Sequence, residues 1–301
     1  MKPAAISNNT PVVRSVISPA VSIRMCVGDC IDSFIHIYER SIEQDDISVG
    51  LTIVHPEKRP RYGPAFMFFH GGGWVLGDYP THERLVRDIV SLSGIAAIFV
   101  NYTPSPEARY PIAINQAYAA TKWVAQNGHE IDVDGRRLAV VGNSVGGNMA
   151  AVISLMAKDH HGPPLLFQAL MWPVTDANFD TPSYELFAEG RFLTRNMMKW
   201  FWDSYTMAPF ERTEIYASPL QARVEQLRGL PPALIQTAGN CPLRDEGEAY
   251  ARKLDLAGVD VVSTRYCSMI HDWGLLNPLS HVPATRAAIM QVASELKRRL
   301  R

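Results

Sequence analysis

At 301 residues and 47% hydrophobic content, the chain is long enough for one large α/β domain, or two small ones, with a sizeable core. Its 29 basic and 30 acidic residues nearly cancel, and no Lys/Arg block is longer than the C-terminal KRRLR, which excludes an electrostatic grip on nucleic acid. The longest apolar runs, such as Ile95 to Val100, are far too short to span a bilayer, and the polar, proline-interrupted N-terminus has no signal-peptide core, so a cytoplasmic protein without a membrane span is expected.

In chain order, short apolar runs alternate with helix-sized intervals. FIHIYE and VGLTIVHP suggest a hairpin at one edge of a sheet. AFMFFHG, AAIFVNY, LAVVGNS, FQALMWP, ALIQTAG and VVSTRYC follow, separated by stretches such as ARYPIAINQAYAATKWVAQNG and GEAYARKLDLAG, the pattern of parallel strands joined by crossover helices. In such a sheet the functional loops lie at the carboxyl ends of the strands. Two segments break the alternation, residues 1 to about 30 and about 178 to 215. Both suggest helices and would form a lid over that edge, although Trp200, Phe201 and Trp202 could equally be packing residues.

Two glycine-rich motifs each follow a strand. Gly142-Asn143-Ser144-Val145-Gly146 is a G-x-S-x-G between a β-like and a helix-like run, where a strained strand-to-helix turn presents a serine nucleophile. His70-Gly71-Gly72-Gly73-Trp74 allows backbone N–H groups to point into a cavity and receive an oxyanion, with a further donor from the residue after the serine. The Walker pattern and a G-x-G-x-x-G opening the first β-α unit are missing, which disfavours nucleotide binding. Among nine histidines, His160 and His161 sit in a loop, His129 and His281 have no distinguishing context, and His271 follows the last strand, where a general base is expected.

HGGGW, FVNYTPSPEARYPIAINQAY, GNSVGG, LPPALIQTAGNCPLRDEGEAYARKL and IHDWG, in this order, together resemble the bacterial hormone-sensitive lipase family (family IV) of α/β-hydrolase esterases, from about Gly63 to the C-terminus. The resemblance implies a single α/β-hydrolase domain over residues 1–301. Its mostly parallel, eight-stranded sheet would be flanked by helices, with a cap from about 1–30 and about 178–215. It implies hydrolysis of short to medium acyl esters without a cofactor or metal, on a small-molecule ester substrate. Relatives often dimerise, so a homodimer is compatible with it. Ser144 would be the nucleophile and His271 the base, with Gly72, Gly73 and the Val145 amide as the oxyanion hole. Trp74, Trp200 and Phe201 are expected to wall the substrate pocket.

The chain departs from the family at the acid loop, where Cys241 occupies the position of the aspartate that orients the histidine. Asn143, where many relatives carry Asp, is a milder change. Asp245 is read as the N-cap of the following helix, with Glu248 reaching back to complete a capping box, and Asp272 as too close in sequence to His271 to face its Nδ1. Cys241 could pair with the imidazolium as a thiolate if His271 lowered its pKa. The four cysteines are too few and scattered for a disulfide framework or a zinc site, and Cys26, Cys30 and Cys267 are read as small packing residues. Two functions follow: an esterase impaired at its acid position, or a hydrolase-fold protein that binds a small apolar ligand with little or no turnover.

Overall fold

The computed structural model describes residues 35–58 and 60–301. The N-terminal part of the expected cap, with Cys26 and Cys30, lies outside the described residues.

β1 (Ile35–Gln44) and β2 (Ile47–Pro56) form the expected antiparallel hairpin. They are joined by Asp45 and Asp46, both at positive φ (52° and 60°), a left-handed pair whose twist matches that of the flanking strands. The remaining strands are β3 (Gly63–Phe69), β4 (Ala96–Asn101), β5 (Val133–Asn143), β6 (Leu165–Met171), β7 (Ala233–Asn240) and β8 (Val261–Ile270). The sheet order is β1-β2-β4-β3-β5-β6-β7-β8, with β2 antiparallel to β4 and all later pairings parallel. Phe66 to Phe69 and Leu138 to Val141 are fully buried, the continuous apolar reading of strands covered on both faces.

The helices are α1 (Tyr79–Ser93), α2 (Ile112–Asn127), α3 (Val145–Asp159), α4 (Pro182–Leu186), α5 (Arg195–Tyr205), α6 (Val224–Leu227), α7 (Arg244–Leu256) and α8 (Pro283–Arg299). Right-handed crossovers place α1 on one face of the sheet and α2, α3 and α7 on the other, and α8 packs beside α1. The chain steps from β3 outward to β4 and then returns past β3 to β5. This reversal leaves the carboxyl ends of β3 and β5 side by side at a switch point, where a crevice opens between loops that diverge to opposite faces. The HGGGW and GNSVGG motifs leave from those two ends. The stretch about 178–215 holds α4 and α5 and contains no strand. Among the described residues, no helix is long and apolar enough to cross a membrane.

Candidate active site

β5 runs through Asn143 and turns into α3 at Ser144, whose backbone is held at φ 56°, ψ −122°. A non-glycine residue occupies this region only when its surroundings enforce it. Here the turn passes so close to β3 that a Cβ on Gly146 would lie 1.9 Å from the Phe69 carbonyl oxygen. The close approach is why the motif needs glycine there. It also lifts Ser144 Oγ clear of the strand, at the N-terminus of α3, where the Val145 amide and the positive end of the helix dipole face any oxyanion on an atom bonded to Oγ.

The loop after β3 is built by its own polar groups. The Gly72 carbonyl accepts the N–H groups of Val75 and Leu76 at 3.2 and 2.8 Å, which turns the chain so that Gly72 and Gly73 adopt φ of 110° and 66°. The Gly71 N–H donates to Asn143 Oδ1 at 3.1 Å and approaches His82 Nε2 at 3.3 Å, fastening this loop to the end of β5. His70 is a pillar beneath it. Its ring stacks on Tyr102 with centroids 4.1 Å apart, Nδ1 donates to the Gly71 carbonyl at 2.8 Å, and burial pushes its pKa down to about 3, so the ring is neutral.

His271 follows β8 and is 2% exposed. Its Nε2 lies 2.9 Å from Ser144 Oγ, and its Nδ1 lies 3.2 Å from Cys241 Sγ. Burial lowers the imidazole pKa while the Asp272 carboxylate opposes that shift. Cys241 is 1% exposed and receives the Leu243 N–H at 3.4 Å. Burial pushes its thiol pKa well up, because a thiolate there would lose its hydration. The thiolate–imidazolium pairing considered from the sequence is therefore disfavoured: Cys241 is a neutral thiol at the position where an aspartate would be charged.

Several side chains take roles other than those expected. α7 begins at Arg244 without a side-chain cap, so Asp245 is not its N-cap. Its carboxylate instead accepts the Ser183 N–H of α4 at 2.8 Å and pairs with Arg244 at 2.8 Å. Glu248 does not reach back to complete a capping box but pairs with Arg265 and accepts from the Thr237 hydroxyl. The physical reason is that α7 packs against β7, β8 and α4, whose polar groups compete successfully for both carboxylates. Cys267, expected as a packing residue, is exposed on β8.

Trp74 is fully buried and stacks face to face on Tyr205, centroids 4.0 Å apart, with Trp202 edge-on at 4.9 Å. The Phe201 ring presses on the glycine loop, where a Cβ on Gly73 would come within 2.0 Å of it. Trp200, on the same helix α5, is 53% exposed. Phe201 is thus brought to the glycine loop, Trp74 is sealed beneath α5, and Trp200 faces outward. His129, His160, His161 and His281 are all exposed. A cleft of about 510 Å³ lined by Tyr118, Lys122, His160 and His161 lies at the opposite end of α3 from Ser144. Among the described residues, no group of three or more His, Cys, Asp or Glu side chains converges to hold a metal ion.

Two buried carboxylates take places that sequence reasoning did not assign: Glu246, and Asp272, which was weighed only as a partner for Nδ1. Glu246, 1% exposed, accepts the N–H groups of Thr175 and Asp176 at 2.7 and 3.3 Å and so fixes the loop after β6 against α7. Asp272 accepts from Trp172 Nε1 at 2.6 Å and Asn143 Nδ2 at 3.1 Å through Oδ1, and its Oδ2 lies 3.6 Å from His271 Nε2. The sequence signal for Asp272 was a carboxylate beside apolar residues in IHDWG; Glu246, within the charged run LRDEG, carried none.

A family model described as alpha/beta hydrolase fold matches residues 66–275. A thermostable esterase from Pseudomonas putida has a solved structure similar to this one, with 63% identity and a TM-score of 0.88, covering 89% of this chain and 84% of that one. An esterase from Rhizomucor miehei is 40% identical with a TM-score of 0.84, over 88% and 83% of the two chains. The carboxylesterase NlhH of Mycobacterium tuberculosis is 34% identical over 88% of this chain and 83% of its own. Sheet order, elbow serine and these similarities agree, and the chain belongs to the hormone-sensitive lipase family (family IV) of α/β-hydrolase esterases.

Proposed function

We propose that the chain hydrolyses short to medium acyl esters through an acyl-enzyme at Ser144, slowly, because Cys241 stands where the orienting carboxylate would be. The carrying observation is the line Ser144 Oγ, His271 Nε2, His271 Nδ1, Cys241 Sγ, with contacts of 2.9 and 3.2 Å at its two ends.

In the proposed cycle His271 Nε2 takes the Ser144 proton as Oγ attacks the ester carbonyl. The oxyanion is met by the N–H groups of Gly72, Gly73 and Val145. Collapse expels the alcohol, which takes the proton back from Nε2, and water repeats the sequence on the acyl-enzyme. A carboxylate at Nδ1 would hold the ring with its proton there and stabilise the imidazolium; a neutral thiol does neither well. In serine proteases, losing the equivalent carboxylate costs on the order of 10⁴-fold in kcat, with about 10³-fold catalysis over water left to binding and the oxyanion hole. Phe201 over the glycine loop supports an apolar acyl pocket with Trp74 behind it and α4 and α5 as its cap. A single domain, a cytoplasmic location and a homodimer belong to the same reading, resting on the family resemblance and the N-terminal sequence; light scattering tests the last.

The neutral thiol also favours the alternative, a ligand-binding shell with almost no turnover. Hydrolysis of p-nitrophenyl acetate and butanoate separates the two. A burst of product matched to enzyme concentration and abolished by Ser144→Ala supports the esterase. Saturable binding with no burst supports the shell.

A further inference from the structure

The carboxylate nearest to His271 lies at the edge of the ring opposite to the one at which a triad acid stands. Asp272 is 8% exposed and adopts φ 57°, which turns its side chain back beside the ring that precedes it. Two donors from distant strand ends, Trp172 Nε1–H and Asn143 Nδ2–H, hold its Oδ1 at 2.6 and 3.1 Å. Its Oδ2 is left 3.6 Å from His271 Nε2, too far for a hydrogen bond and close enough for its charge to act strongly in a buried site.

On the other edge of the ring, Cys241 Sγ already accepts the Leu243 N–H. The neutral thiol has a proton of its own, with His271 Nδ1 at 3.2 Å to receive it. A donor thus faces Nδ1, while Nε2 faces the Asp272 carboxylate and, at 2.9 Å, the Ser144 hydroxyl, which can accept as well as donate; a neutral imidazole meets this set by carrying its proton on Nε2.

We propose that Asp272 is a positioning residue that acts as the charge partner of His271 from the Nε2 edge, so that the resting ring carries its proton on Nε2. That is the nitrogen that must be empty to take the Ser144 proton. The inference rests on the reading of His271 as the base, and it gives slow turnover a specific cause: the ring waits in the wrong tautomer.

Few other titratable or charged groups face the pair. Cys241 stands on the acid loop, with Glu246 and Arg244 of α7 felt beyond it. On the far side of Asp272 are His82 of α1 and, just before that helix, Asp78. Among the described residues, Asp272 is the one whose charge bears on the His271 pKa.

The test is ¹⁵N NMR of the full chain labelled at histidine, with His271→Gln assigning the resonance and serving as the activity control. Neutral His271 is expected to show the Nε2–H pattern in the unaltered chain and the Nδ1–H pattern in Cys241→Asp. In Asp272→Asn, the protonation midpoint of the ring should fall by about one to three pH units, the shift expected when an opposite charge is removed at this range. A dominant Nδ1–H tautomer in the unaltered chain overturns the proposal without any need for the variant to fold. An unmoved midpoint in a folded Asp272→Asn also overturns it. Esterase activity that survives His271→Gln would instead remove the base assignment beneath it.

Discussion

Cys241 Sγ and His271 Nδ1 stand 3.2 Å apart, both groups almost wholly buried. The loop that carries the thiol also aims the Leu243 N–H at it. A carboxylate in the same place would find both an imidazole N–H and a backbone donor.

Cys241→Asp is therefore expected to raise kcat on p-nitrophenyl butanoate by about two to four orders of magnitude, with KM little changed, since the gain falls on the imidazolium formed in the transition state. Equal rates for the two proteins would show that the acid position does not limit turnover.

Gly73→Ala places a methyl group at a positive φ and 2.0 Å from the Phe201 ring. The loop must shift to relieve it, which misaims the N–H proposed as an oxyanion donor. A fall of about 10²-fold in kcat is expected, measured alongside circular dichroism to establish that the fold persists. Gly94→Ala, also at positive φ but with open space around it, should cost about 1 kcal/mol of stability and leave kcat unchanged.

The buried His70 makes stability depend on pH with a definite sign. Its folded pKa of about 3 lies below the ordinary value near 6.5. Between those limits the unfolded chain binds a proton that the folded chain does not. Its contribution is fully present above about pH 6.5 and is lost as pH falls toward 3, by about 1.4 kcal/mol per pH unit. His70→Asn retains a donor toward the Gly71 carbonyl and should flatten the fall in urea-unfolding free energy between pH 6.5 and 4.5; an unchanged slope would show that the ring already titrates normally.

Asp245 binds the start of α4 and Arg244 rather than His271. Asp245→Asn should leave kcat within about twofold and lower stability by about 1 kcal/mol through the weakened contact to Ser183. A large loss of kcat with stability intact would mean that this carboxylate reaches His271 during turnover.

Within α5, neighbouring aromatic residues should behave oppositely. Trp200→Ala, at a 53% exposed position, is expected to change stability by less than about 0.5 kcal/mol. Phe201→Ala, which empties a buried site above the glycine loop, should cost about 3 kcal/mol and reduce kcat. Thermal unfolding and kinetics on both variants check the contrast.

The legible parts of this protein were those encoded by short, local patterns. The inner strands such as β3 and β4 lie on apolar runs of the sequence, because a strand covered on both faces must be apolar along its length, whereas the edge strands β1 and β8 mix polar and apolar residues. Ser144 and the glycine loop were visible because a sharp strand-to-helix turn and a close backbone approach each demand glycine at fixed spacing. His271 lies where its place after the last strand suggested, with Nε2 2.9 Å from Ser144 Oγ.

Three features were decided only by packing between distant segments. Trp172 and Asp272, 100 residues apart in sequence, meet because β6 and the loop after β8 open at the same end of the sheet, and a positive φ at Asp272 turns its carboxylate toward Nε2. Asp245 and Glu248 left the capping box for partners on α4 and β8. The state of the Cys241 thiol followed from its depth. By itself, the sequence determined which groups are present and which backbone turns are sterically possible. The tertiary structure decided which of those groups lose water and which charge they then face, because desolvation and Coulomb energies depend on neighbours that residue order does not reveal.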